Sequence, residues 1–171
     1  MACTYLRFNA ALPFRIGEEP KRTYLVVIDD SAEARVALRF AARRAAKTNG
    51  RIEVLGIVEP QDFVQFGGVQ AAIEEEQRLR IEGVVSAGIG DILDESGVEA
   101  KIIVQQGEPV KSVRDYIGGR DEVAALVLGA APSGNPGVLV ANFCGNDAGR
   151  LPCPVMLIPG SLSDDRLEQL S

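Results

Sequence analysis

Histidine and tryptophan are absent from all 171 residues. The first absence matters most, because imidazole is the most frequent general base and the commonest metal ligand. Ser-His-Asp, Cys-His and histidine-zinc chemistries are excluded with it, leaving carboxylates and lysines for any acid–base work. Cysteine is scarce: Cys3, Cys144 and Cys153 form no C-x-x-C pair, and their odd number fits a reduced, cytoplasmic chain. Both Cys144 and Cys153 read as small buried side chains. No apolar run approaches the about 20 residues of a membrane span, and Arg7, Asn9, Pro13 and Arg15 interrupt the place where a secretory core would lie. Positive charge is also in deficit, with 18 basic against 24 acidic residues and a net charge of −6. That balance removes the electrostatic footprint of a nucleic-acid or anionic-membrane binder. Small molecules or proteins are the expected partners.

What remains has the length of one domain. Residues 1–21 show no clean period and end in Gly17-Glu-Glu-Pro20-Lys21, so they read as an extension, although Tyr5, Leu6, Phe8, Leu12, Phe14 and Ile16 suggest that it packs on something. The body spans 22–160, and the acidic stretch 161–171 reads as a short helical tail.

The body alternates strand and helix signals. Leu25 to Ile28 is a β-rich apolar run ending at Asp29-Asp30-Ser31, a cap sequence with Glu33 in the first turn. The helix that follows, Ala32 to Lys47, puts Ala34, Leu38, Ala41 and Ala45 on one face and Arg35, Arg39 and Arg43 on another, read as solvated. Ile52 to Val58 is a second strand, closed by Glu59-Pro60. A loop over 61–68 leads into a long helix over Ala71 to Ser96, with Ile81, Val84, Val85, Gly88 and Ile92 facing inward and Glu74 to Glu76 in its first turn. Val98 to Gln105 is a third strand, and Gly107-Glu108-Pro109 starts a helix burying Val110, Val113 and Ile117. Val123 to Leu128 is a near-continuous apolar run of the kind found in central parallel strands. Leu139 to Gly149 reads as a helix and Pro154 to Ile158 as a fifth strand. The alternation predicts an α/β fold with an open five-stranded parallel sheet and helices on both faces.

Five pieces in this order, Val26-Val-Ile-Asp29-Asp30-Ser31, Val54-Leu-Gly-Ile57-Val, Gly107-Glu-Pro109-Val, Leu126-Val-Leu-Gly129 and Cys153-Pro-Val-Met-Leu-Ile158-Pro, resemble the universal stress protein family. The resemblance covers residues 22–160. It implies strand order 3-2-1-4-5, a homodimer joined at the fifth strand, and a stress-response or signalling role with ATP or AMP at the carboxyl edge of the sheet. By position, Asp29 would lie beside the adenosine, Ile57 would support the adenine, and the loop beginning at Gly129 would cradle phosphate.

That loop departs from the family pattern of Gly-x-x-Gly, nine residues, then Gly and Ser or Thr. Pro132 occupies the second glycine position, Asn142 the third and Phe143 the hydroxyl position. Proline lacks an amide donor, and phenylalanine offers phosphate no hydrogen bond. Ser133, Gly134, Gly137, Gly145 and Asn146 are the residues available to a re-registered loop. Two functions are therefore weighed: a module binding an adenine nucleotide weakly, and a nucleotide-free protein-interaction module on the same fold. An ATP-consuming transferase ranks last, since no Gly-rich pyrophosphate loop follows the first strand.

Overall fold

The computed structural model describes residues 21–59 and 97–171, together with Glu75, Glu76, Leu79 and Gly83. Those four residues are helical, and Glu75 and Glu76 are exposed. The rest of the expected 71–96 helix, the 61–68 loop and the 1–20 extension lie outside the described residues.

Strand β1 runs over Thr23–Ile28, helix α1 over Ala32–Lys47, and β2 over Arg51–Val58. They are followed by β3 (Ala100–Gln106), α2 (Pro109–Ile117) and β4 (Val123–Ala130). A four-residue helix α3 (Val138–Ala141), β5 (Val155–Pro159) and α4 (Asp164–Leu170) complete the chain. The five strands form one sheet in the order β3-β2-β1-β4-β5, and every pair is parallel. Strand β1 is central, as expected.

Alternation along the strands sorts the core onto two faces. Tyr24, Val26 and Ile28 pack under α1 and α4 with Ala125 and Val127 of β4. Leu25 points to the other face, where Leu126 and Leu128 meet Val110, Val113 and Ile117 of α2 and Phe143 beyond α3. The α1 interface is made of Ala34, Ala37, Ala41, Ala42 and Ala45 with Leu38, so the helix rests close on the sheet. Its cap is Ser31, whose Oγ accepts the Ala34 N–H at 3.2 Å.

Three expectations are corrected. Leu139 to Gly149 is not one helix: α3 passes into a π turn over Asn142–Asn146 and a 3-10 turn over Ala148–Arg150, with Gly145 at φ −109° and ψ −109° breaking the path. The break falls at a glycine, the residue with the least steric bar to leaving helical φ/ψ, two residues after Phe143, which is fully buried in the core. Cys144, its neighbour, is consequently exposed, whereas Cys153 is buried. Nor does the arginine row face only solvent. Arg39 Nη1 donates to Asp164 Oδ1 and Arg43 Nη1 to the Asp164 carbonyl, each at 3.0 Å, while Lys47 Nζ reaches the carbonyls of Glu168 and Ser171. These contacts dock α4 on α1, with Leu167 completely buried between them.

Candidate functional site

A crevice forms in an open α/β sheet where neighbouring strands lead their chains in opposite directions. Here β1 leads to β2 on one side and β4 leads to β5 on the other, so the crevice lies beyond Ile28 and Gly129. A cavity of about 180 Å³ occupies that place.

The turn from β1 to α1 forms one wall. Asp29 is exposed, and its Oδ1 accepts the Ser31 N–H at 2.9 Å, holding the turn that brings Ser31 to its cap position. One carboxylate oxygen is thereby engaged in local structure, and a carboxylate has further acceptor capacity. Ile57, next to the end of β2, is half-buried against the opposite wall. Gly129 closes the floor from β4. A Cβ there would stand 2.3 Å from the Glu33 carbonyl oxygen and 2.9 Å from the Ala34 nitrogen, so close backbone packing requires the glycine.

Of the eight candidates, Asp29, Ile57, Gly129 and Gly137 line the cavity. Ser133, Gly134, Gly145 and Asn146 do not; all four are exposed. Gly134 and Gly137 have φ of 75° and 103°, a left-handed backbone that glycine adopts without strain. The Gly137 N–H donates to Asn135 Oδ1 at 3.1 Å, which occupies that amide. Pro132 is exposed, and Phe143 lies in the core, away from any polar ligand.

The cavity also draws on residues that motif positions do not mark: Glu33, Glu59, and Val138 to Val140. Glu59 follows β2 directly, so the rule that ligands gather at strand carboxyl ends points to it. Glu33 was legible only as a helix-cap acid. Among the described residues, no group of three or more Cys, Asp or Glu side chains is placed to hold a metal ion.

Away from the cavity, in the amino-terminal half of β2, Glu53 is 3% exposed. Tyr116 Oη donates to Glu53 Oε2 at 2.8 Å, and Arg120 Nη2 donates to Oε1 at 3.0 Å. The Arg120 guanidinium also lies 4.4 Å from the Tyr116 ring centroid and binds Glu122 Oε1 at 2.9 Å. Burial and the hydrogen bond to Glu53 both raise the Tyr116 pKa. Burial works against the Arg120 charge, but the bonds to Glu122 and Tyr116 hold its pKa above the ordinary arginine value. Desolvation raises both thiol pKa values, at Cys144 and at Cys153, so neither cysteine is activated.

The strand order, the cavity at the β1–β4 divergence and the position of Asp29 now stand beside comparisons with known proteins. Residues 21–159 match the model of the universal stress protein family. The chain belongs to that family. Among solved structures it is similar to the universal stress protein UspA from Lactobacillus plantarum, with a TM-score of 0.69 and 17% identity over 82% of this chain and 99% of that one. A universal stress protein from Archaeoglobus fulgidus in complex with dAMP gives 0.53 and 18% over 81% and 97%. One from Arabidopsis thaliana with AMP bound gives 0.55 and 14% over 84% and 94%. At these identities the likeness establishes a shared fold. No curated protein matches the chain by sequence. Beyond the matched residues of this universal stress protein, the described chain carries α4, docked on α1 by Arg39, Arg43 and Lys47. No helix among the described residues is long and apolar enough to cross a membrane.

Proposed function

We propose that this universal stress protein is a stress-response or signalling module that binds an adenine nucleotide weakly in the cavity between β1 and β4 and works as a homodimer. The observation that carries the reading is the convergence of Asp29, Ile57 and Gly129 on one cavity at the carboxyl edge. Asp29 would accept ribose hydroxyls, and Ile57 would pack on the base. The nucleotides in the archaeal and plant neighbours support an adenine ligand. Weakness follows from the phosphate end. Pro132 has no N–H and Phe143 is buried in the core, and each missing hydrogen bond to a charged phosphate costs about 1.5–3 kcal/mol, roughly ten- to more than hundredfold in affinity.

Calorimetric titration with AMP and ATP, on the wild type and on Asp29→Asn, tests the reading. Asparagine retains an oxygen for the Ser31 N–H while removing the charge and one acceptor, so the turn survives and adenine affinity falls. Tight ATP binding untouched by this change would sink the assignment. The burial of Phe143 favours a second reading, a nucleotide-free interaction module, because the residue at the hydroxyl position serves the core instead. No binding of adenosine or of any adenine nucleotide at millimolar ligand, with none released from denatured protein by mass spectrometry, decides for that alternative.

A further inference from the structure

Every charged side chain on the cavity wall is acidic. Asp29, Glu33 and Glu59 line it, and among the described residues no lysine or arginine does. The deficit extends through the described segments that follow the strands: residues 29–34, 107–110 and 131–149 contain neither lysine nor arginine. Nor do the three carboxylates converge into a group placed to hold a metal ion, so the described residues supply no fixed cation to offset an incoming phosphate. The amides do little more, since the Gly137 N–H is already bound to Asn135 and Pro132 has none.

We propose that the cavity selects an uncharged adenine nucleoside over the corresponding nucleotide. This inference rests on the adenine-site reading above and names the ligand class within it. Ribose hydroxyls are donors, and carboxylates are acceptors without a competing donor, so Asp29 and its acidic neighbours favour the sugar. The same charges repel a phosphate dianion, which meets like charge on the walls and no countercharge among the described residues.

The test is titration of the full chain with adenosine and with 5′-AMP in the absence of divalent ions, at low and at high ionic strength. Adenosine is expected to bind about tenfold more tightly than AMP at low salt, with the gap closing at high salt as the carboxylates are screened. The Glu33→Gln/Glu59→Gln double variant is expected to narrow the gap at low salt. AMP binding as tightly as adenosine, or more tightly, in the wild type at low salt overturns the inference and leaves the adenine site standing. A gap indifferent to salt also overturns it, because the discrimination would then be steric. If adenosine, AMP and ATP all fail to bind at millimolar ligand, the adenine-site reading falls and the inference with it. The salt series uses only wild-type protein, so the result does not depend on the folding of a variant.

Discussion

The backbone of Gly129 lies against that of Glu33, so close that a Cβ on residue 129 would stand 2.3 Å from the Glu33 carbonyl oxygen. Gly160 repeats the relationship from the turn after β5, where an added Cβ would be 2.7 Å from Glu33 Cβ. The first turn of α1 is therefore seated on two glycines, and that turn also walls the cavity through Glu33 and Ala34.

Gly129→Ala is accordingly expected to shift α1 away from β4, destabilising the protein by about 1–3 kcal/mol and weakening adenine binding together with stability. Gly134→Ala is the control. Its neighbourhood is open, and only the φ of 75° opposes a side chain, for a cost of about 1–2 kcal/mol. Urea denaturation and ligand titration of both variants check the contrast: binding should respond to residue 129 and not to residue 134.

Gly129 also shows how far the sequence was legible. Its position after an apolar strand marked the carboxyl edge correctly, but the partner that demands a glycine, the Glu33 backbone, is brought there by the βαβ crossover and cannot be read from local spacing. The strands and the inward faces of α1 and α2 were legible because period-2 and period-3.6 patterns encode burial directly, whereas the strand order came from the family resemblance, since periodicity marks a buried face and not a neighbouring strand. The segment after Leu139 was not, since the helix breaks at Gly145, and a glycine in a helical pattern is tolerated often enough that it does not by itself mark a break. Glu59 and Glu33 were missed as cavity residues because an acid after a strand or in a first helical turn has an ordinary explanation as turn or cap.

The pair of buried Glu53 and half-buried Arg120 carries a stability prediction. Glu53 is 3% exposed, so Arg120→Ala would strand a carboxylate whose remaining partner is the Tyr116 hydroxyl. Breaking a fully buried pair costs about 3–5 kcal/mol; with the Arg120 side chain 25% exposed the loss here is expected at about 1–3 kcal/mol, whereas replacing both charges by apolar groups of similar volume is often near neutral. Glu53→Leu in the Arg120→Leu background should therefore recover much of the loss seen in Arg120→Leu alone. Chemical denaturation of the singles and the double measures the coupling, and additive effects would show that the pair is not coupled.

Tyr116 sets an alkaline limit on the same network. Burial and the bond to Glu53 raise its folded pKa above the ordinary 10.0, so its contribution is fully present below pH 10. Above that pH the unfolded chain loses the phenolic proton first, and stability falls as pH rises through the folded pKa. Tyr116→Phe is expected to lower stability near neutral pH, by about 1–3 kcal/mol for the unsatisfied Glu53 oxygen, while flattening the decline above pH 10. Melting temperatures of wild type and variant between pH 7 and 11 test both signs at once, and parallel alkaline slopes would refute the role given to Tyr116.

The free edge of β5 is the expected seat of the homodimer. Among the described residues β5 pairs only with β4, and Leu157 is 44% exposed on it, although its neighbour Ile158 is buried. An edge strand of this kind presents unpaired backbone groups, and a two-fold axis beside it lets two copies satisfy one another with the same patch. Leu157→Lys places a charge in that patch without touching the core, so it should convert a dimer into a folded monomer with little change in melting temperature measured on the monomer. Sedimentation at micromolar concentration reads the outcome. A wild-type monomer removes the proposal, and a dimer that survives Leu157→Lys moves the interface away from β5.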